Sequence, residues 1–207
     1  MLVLSLAAAG TIALSAHRTD EYLQAARLAI DPARVQIELD LTPGIALAGT
    51  ILADIDRNRD GSLSPEEQRA YASQVVRALT LELDGAPVRA QLVGSSFPEP
   101  DAMKRGEGTI RLQSAAALPP ASSGFHQLLF RNRHHPDRSV YLANALVPES
   151  DQVSVTAQRR DRDQTELTID YLVRAVPARP GAQWLAGIVA VATVLLALAM
   201  RPLRSLK

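Results

Sequence analysis

The sequence contains no cysteine, and only 4% of its 207 residues are aromatic. Without cysteine the chain has no disulfide bonds, no thiolate ligands for a metal and no cysteine nucleophile. Its charges are balanced, with 22 basic and 22 acidic side chains and no long run of lysine and arginine. Binding to nucleic acid depends on a concentrated positive field, so we expect no nucleic-acid partner.

Motifs of common catalytic sites are also missing. The chain has no G-x-S-x-G nucleophile elbow, no H-E-x-x-H helix and no glycine-rich phosphate loop. Most of its aspartates and glutamates are scattered through turns and polar strand positions, apart from one twelve-residue segment. We therefore expect a binding or interaction protein and not an enzyme.

The N-terminal end of the chain is apolar. Residues 1–16, MLVLSLAAAGTIALSA, stop abruptly at the polar pair His17-Arg18, which predicts a secretory signal peptide that is cleaved after Ala16. The alternative is an uncleaved membrane anchor. Sixteen helical residues span only about 24 Å, whereas the hydrocarbon core of a bilayer is about 30 Å thick.

A second apolar segment lies near the C-terminal end. Residues 184–200, WLAGIVAVATVLLALAM, contain no charged side chain, and three basic residues follow within 201–207. This composition predicts a transmembrane helix with a cytoplasmic tail, joined to the rest of the chain by a linker at 176–183. Residues 17–175 would then form a periplasmic or extracellular domain of a single-pass protein in the cytoplasmic membrane.

Within this domain the apolar pattern changes from strand to helix and back. The run VQIELDL, residues 35–41, alternates apolar and polar side chains, which indicates a strand with one buried face. Two helical segments occupy about 44–79, and Asp84-Gly85 between alternating runs predicts a hairpin turn. Roughly eight or nine short strands predict a mainly β fold, an antiparallel immunoglobulin-like sandwich, with the helical pair inserted after its second strand.

The segment between the two helices, DRNRDGSLSPEE at residues 56–67, has the spacing of an EF-hand loop. Ca²⁺ prefers six to eight oxygen ligands, which such a loop supplies from alternate positions. The side chains of positions 1, 3, 5 and 12 and the backbone carbonyl of position 7 bind the ion directly, and position 9 acts through water. The predicted ligands are therefore Asp56, Asn58, Asp60, Ser62 and Glu67, with Ser64 acting through a water molecule.

Other positions of the loop agree with this interpretation. Gly61 at position 6 suits a sharp turn that a β-carbon disfavours, while Ser64 and Glu67 have the spacing of a helix N-cap and its partner. Arg57 and Arg59 lower the local negative potential, so we expect weak affinity, on the order of 10⁻⁴ to 10⁻³ M, and a structural role for the ion. The alternative is an acidic helix cap that binds no ion.

Three of the four histidines raise the question of a transition metal. After cleavage, His17 would be the first residue, and its α-amine and imidazole would form a chelate suited to Cu²⁺ or Ni²⁺. The alternative is that cleavage leaves a histidine there without a metal role. His134 and His135 precede a proline in RNRHHPDRS, which indicates a solvated turn, and on a strand they would point to opposite faces.

Four segments, AHRTDEYLQA, DLTPG, DRNRDGSLSPEE and FRNRHHPDRSVYLANAL, together resemble the extracytoplasmic domain of bacterial membrane proteins related to the hydrogenase/urease accessory nickel permeases. The resemblance covers roughly residues 17–175. It implies a mostly β domain, which in some members carries an EF-hand, and its calcium ligands match the positions derived from the loop spacing. This chain departs from the pattern in having a single predicted anchor and no permease of its own.

Two functions follow from these observations. The first is calcium binding through a single EF-hand in a membrane-anchored domain that interacts with a permease or another envelope protein. The alternative is a transition-metal accessory protein for a neighbouring transporter, in which His17, with His134 or His135, receives Ni²⁺ or Cu²⁺.

Overall fold

A computed structural model describes residues 20–119 and 122–175 of the chain. The predicted signal peptide, His17, the linker, the predicted transmembrane helix and the basic tail lie outside the described residues. Within the described ranges, no helix is both long and apolar enough to cross a bilayer.

The described residues form ten strands and three helices. In chain order these are β1 (Tyr22–Asp31), β2 (Arg34–Pro43), α1 (Ile45–Ile55), α2 (Pro65–Arg77), β3 (Leu79–Leu83), β4 (Ala86–Val88), β5 (Gln91–Ser96), α3 (Pro100–Lys104), β6 (Ile110–Ala117), β7 (Gly124–Asn132), β8 (Ser139–Ala145), β9 (Val153–Arg160) and β10 (Glu166–Val173). The mainly β character of the domain and the insertion of two helices after the second strand are confirmed.

The strands form two five-stranded sheets, with the orders β5-β6-β2-β1-β8 and β4-β3-β7-β10-β9. Seven of the eight neighbouring pairs are antiparallel, and β1 and β8 run parallel. The expectation of a wholly antiparallel fold is therefore wrong at this pair. The reason is that the chain enters β8 by a crossover from the other sheet, whereas a hairpin would reverse its direction.

The alternating run that follows the predicted Asp84-Gly85 turn forms two strands and not one. β4 pairs with β3 in the second sheet, whereas β5 pairs with β6 in the first. The chain thus changes sheets at Arg89 and Ala90, which raises the number of strands above the expected eight or nine.

Regular alternation explains the long strands. Along β1 every second side chain is buried, and β2 alternates in the same way, because successive side chains of a strand point to opposite faces. The inward side chains of both sheets and of both long helices belong to one hydrophobic core. Its fully buried members include Leu28, Ile37, Ile51, Val75, Phe130 and Ile169.

Local rules account for the helices and the hairpin. α2 begins with the predicted capping box, in which Ser64 is the N-cap and Glu67 the reciprocal partner. Asp84 and Gly85 have φ angles of 51° and 81°, and Leu83 pairs with Ala86 across them. Both predictions are confirmed, since a two-residue hairpin turn requires such left-handed conformations.

The crossover into β8 brings distant segments together. The connection between β7 and β8, residues 133–138, lies beside the start of β1, where the Tyr22 N–H donates to the Arg138 carbonyl at 2.9 Å. The last turn of α1 reaches the same connection, with Asp54 Oδ2 3.5 Å from His135 Nε2. The fold thereby places the helix–loop–helix of α1 and α2 next to the histidine pair.

Candidate metal centre

The loop between α1 and α2 folds around its acidic side chains. These side chains accept hydrogen bonds from the N–H groups of the loop's own backbone. Asp56 accepts from the N–H groups of Asp60 at 3.2 Å and Gly61 at 2.9 Å. Asn58 Oδ1 accepts from the Asp60 N–H at 3.0 Å, and Asp60 Oδ1 accepts from the Ser62 N–H at 2.8 Å. Short polar side chains favour such turns because they bond the backbone two or more residues ahead.

Gly61 occupies the conformation that its position in the loop predicts. Its φ angle is 84°, in the left-handed region that glycine adopts without steric cost. A β-carbon at this position would meet no atom within 4 Å, so a larger residue would be penalised by backbone strain and not by a clash. Arg59 is also left-handed, with φ of 61°.

Glu67 connects the two ends of the loop. Its Oε1 accepts from the N–H groups of Arg57 at 2.9 Å and Asn58 at 3.3 Å. Its Oε2 accepts from the Ser64 N–H at 3.0 Å and the Ser64 hydroxyl at 2.8 Å. The side chain at position 12 therefore contacts both the start of the loop and the first turn of α2.

These contacts favour the ionised form of two loop carboxyls, Asp60 and Glu67. The Ser62 N–H and the Asn58 amide lower the pKa of Asp60. The Ser64 hydroxyl and N–H, followed by the N–H groups of Asn58 and Arg57, lower the pKa of Glu67. A hard cation such as Ca²⁺ binds the ionised carboxylate, which is the form that these hydrogen bonds favour.

The donor types suit calcium, although the carboxylates do not converge. Three carboxylates, one amide oxygen and backbone carbonyls are the ligands that Ca²⁺ prefers. Among residues 20–119 and 122–175, no three His, Cys, Asp or Glu side chains lie close enough together to hold one ion. In the loop, the Asp56, Asp60 and Glu67 carboxylates bond to backbone N–H groups.

The histidine pair differs from the solvated turn that the sequence suggests. His134 is only 3% exposed, and its Nε2 lies 3.1 Å from the Tyr71 hydroxyl. Its carbonyl oxygen accepts from Gln24 Nε2 at 2.8 Å, the Tyr141 hydroxyl at 2.8 Å and the Ser139 hydroxyl at 3.2 Å. The prediction is wrong for His134 because the connection folds inward over the start of β1, where these donors meet it.

Further side chains complete what we call the His134 network, formed by Tyr22, Gln24, Tyr71, Asn132, His134, Ser139 and Tyr141. Asn132 donates to Gln24 Oε1 at 2.8 Å and accepts from the His134 N–H at 3.0 Å. The hydroxyls of Tyr22 and Tyr71 are 2.9 Å apart. Buried polar groups are costly unless they are paired, and here they satisfy one another.

Burial, with a smaller contribution from the neighbouring His135, lowers the pKa of His134 to about 3. The imidazole is therefore neutral at physiological pH. Burial also raises the pKa of Tyr71, so its hydroxyl stays protonated. The contact between the two side chains is thus a hydrogen bond between neutral groups.

His135 has a different environment. Its side chain is 19% exposed, and its backbone is left-handed with φ of 51°. Its ring lies 4.2 Å from that of His134, centroid to centroid, and no group in the described part of the chain hydrogen-bonds to its Nε2. The two rings are adjacent, but the Nε2 of His134 already bonds to Tyr71.

Sequence reasoning missed most of the His134 network. Tyr22 lies 49 residues from Tyr71, and Gln24 lies 110 residues from His134, so no local spacing signals these contacts.

Comparison of the chain with models of protein families, with curated proteins and with solved structures gives no match. The function is therefore inferred from the loop and its surroundings.

Proposed function

We propose that this protein binds Ca²⁺ through residues 56–67 and that the bound ion has a structural role. The observation that carries the proposal is the loop itself, which joins two helices, turns at Gly61 with φ of 84° and is bridged end to end by Glu67. The pKa values of Asp60 and Glu67 are both lowered, which favours the form that a divalent cation requires.

The loop belongs to an interaction domain on the outer side of the cytoplasmic membrane. Two five-stranded sheets around one core support an immunoglobulin-like sandwich, into which the EF-hand is inserted between β2 and β3. The apolar segments at 1–16 and 184–200 support export and a single membrane anchor. Its partner is a permease or another envelope protein.

Calorimetric titration of the full chain in detergent with CaCl₂ tests calcium binding. We expect a dissociation constant on the order of 10⁻⁴ to 10⁻³ M. Glu67→Gln removes the charge at position 12 and should weaken binding at least tenfold. Glu66→Gln is the matched control, since this neighbour is exposed and is no predicted ligand, and it should bind like the unchanged chain.

Thermal unfolding provides a second measurement. A ligand that binds only the folded state at ten times its dissociation constant stabilises that state by about 1.4 kcal/mol. This stabilisation should occur with Ca²⁺ in the unchanged chain and in the Glu66→Gln variant, and should disappear in Glu67→Gln. Equal responses of the two variants would contradict the proposed site.

A second candidate, the transition-metal accessory function, rests on His17 and His135. Of the adjacent pair, His135 has the ring nitrogen without a hydrogen-bonding partner in the described part of the chain, whereas His134 bonds to Tyr71. Mass spectrometry of the mature N-terminus tests this candidate. If His17 is not the first residue, the amine–imidazole chelate cannot form.

A further inference from the structure

Residues 1–207 contain one loop with the EF-hand spacing. We propose that the His134 network braces this loop, and that Tyr71 is a positioning residue for the calcium ligand Glu67. This inference rests on the proposed calcium function and adds to it a support that lies outside the loop.

The first step is the spacing on α2. Tyr71 follows Glu67 by four residues, so the two side chains lie on the same face of the helix, one turn apart. The capping box joins Glu67 to Ser64 at the start of the same helix. A constraint on Tyr71 therefore also constrains the turn that presents Glu67 to the loop.

The second step is the anchorage of Tyr71. Its side chain is buried, with 1% exposure, and its hydroxyl bonds to both Tyr22 and His134. Tyr22 lies on β1, and His134 lies in the connection between the two sheets. Since three donors bond the carbonyl of His134, the group that receives Tyr71 is itself fixed.

The third step is the other helix of the EF-hand. Asp54, two residues before the ligand Asp56, lies 3.5 Å from His135 Nε2. The two helices thus contact adjacent residues of one connection, α2 through Tyr71 and α1 through Asp54. Because the predicted ligands are divided between the loop and α2, a fixed relation between the helices reduces the ordering cost of binding.

The test compares two tyrosine variants of the full chain in detergent, with the calcium dissociation constant as the readout. Tyr71 lies on α2, a helix of the EF-hand, and Tyr71→Phe removes its hydroxyl, which bonds to His134. Tyr141→Phe removes a hydroxyl that bonds the His134 carbonyl from β8. Tyr71→Phe removes the bonds to both Tyr22 and His134, and the dissociation constant reports only the part of their free energy that favours the ion-bound loop over the ion-free loop. Loss of one buried hydrogen bond corresponds to roughly five- to tenfold in an equilibrium constant. We therefore expect Tyr71→Phe to weaken binding by roughly five- to tenfold and Tyr141→Phe to change it less than twofold.

The outcomes separate this inference from the proposed function. If the unchanged chain binds no calcium, the proposed function fails and this inference fails with it. If it binds calcium and Tyr71→Phe binds equally well, the positioning role is overturned while calcium binding stands. Equal weakening by both variants would show general destabilisation, and would also overturn the positioning role.

A spectroscopic measurement on the unchanged chain covers the case in which Tyr71→Phe does not fold. Calcium should shift the imidazole NMR signals of His134 and His135, because the helices that they contact carry the loop. His126 is the internal control, since it bonds to Asp84 and Ser122 and not to an EF-hand helix. Movement of the His126 signal alone, or of none of the three, would contradict the inference.

Discussion

His134 has the surroundings of a core residue, although its neighbours in the sequence are polar. Its imidazole lies between aromatic rings, with the rings of Tyr71 and Tyr22 at centroid distances of 5.5 and 6.1 Å. Among the described residues, the neighbouring ring that can also take up a proton is that of His135, whose centroid lies 4.2 Å from the centroid of His134. Removal from water and this neighbour both disfavour the imidazolium form.

We expect this histidine to make the domain sensitive to mild acid. The pKa of His134 is about 3 in the folded state, whereas an unfolded histidine titrates near 6.5. Between these values the unfolded chain binds a proton that the folded chain does not, so stability falls as the pH drops below about 6.5. The slope approaches ~1.4 kcal/mol per pH unit, and His134 contributes no pH dependence above about pH 7.

Chemical denaturation between pH 7.5 and 4.5, in calcium-free buffer, measures this effect. His134→Gln keeps a polar group near Tyr71 without a basic nitrogen, so its stability should change less with pH. The same pH slope in the variant and in the unchanged chain would contradict the prediction.

His126 should act in the opposite sense. Its hydrogen bonds to the Asp84 carboxylate and the Ser122 carbonyl raise its pKa. The stability that it contributes is complete below the unfolded pKa and is lost as the pH rises through the raised value. Asp84→Asn should remove this loss, which denaturation between pH 6 and 8.5 measures.

At the scale of elements, the helix–loop–helix contains two glycines that differ in backbone conformation. Gly61 in the loop has φ of 84°, whereas Gly49 lies on the exposed face of α1 in an ordinary helical conformation. A β-carbon would find nothing within 4 Å at either position. The two sites therefore differ in backbone conformation and not in space.

Alanine at the two glycines should have effects of opposite sign. Gly61→Ala places a β-carbon in a left-handed conformation and should destabilise the domain by about 1–2 kcal/mol. Gly49→Ala should stabilise it by up to about 1 kcal/mol, because alanine is the better helix former. Urea denaturation measures both changes, and a neutral Gly61→Ala would show that the loop does not hold this turn.

Helix α1, the capping box of α2 and the Asp84-Gly85 turn are predictable because each depends on residues that are close together in the sequence. The sequence indicates α1 at IALAGTILADI, and the helix covers Ile45–Ile55, because the buried positions recur every three to four residues. The capping box and the Asp84-Gly85 turn were predicted for the same reason, since they depend on neighbours. α3 (Pro100–Lys104) was not predicted, because its five residues are too few to show a helical period.

At the scale of the whole molecule, β8 and β9 are the last strands of their sheets, and their contacts join the two sheets along one side. Gln158 of β9 donates to the Ala145 carbonyl at 3.2 Å and accepts from the Ala145 N–H at 2.9 Å. Arg160 donates to the Ala143 carbonyl at 2.9 Å and also bonds to Asn144. Side chains of β9 thereby bond to backbone groups on the free edge of β8. Backbone groups that are bonded in this way are not available to pair with a strand of another chain.

We expect Gln158→Ala to lower the free energy of unfolding by at most about 1 kcal/mol, because both of its hydrogen bonds to Ala145 are exposed and water can replace them. The exposed edge should also promote self-association. Arg159→Ala is the control, since Arg159 lies on the same strand but bonds to Asp170 within its own sheet, and surface ion pairs contribute little. Light scattering during heating distinguishes the variants, and equal aggregation of both would contradict this role of Gln158.

By itself, the sequence determined the local structure of this protein: the alternating strands, the capped helix, the left-handed Gly61 and the order of oxygen donors in the loop. Each depends on periodicity, side-chain chemistry or backbone sterics within about a dozen residues. Only the tertiary structure decided the parallel pairing of β1 with β8, the burial of His134 and the approach of Asp54 and Tyr71 to the histidine pair. These contacts join residues that are tens to more than a hundred positions apart, so they depend on how the chain crosses between its sheets.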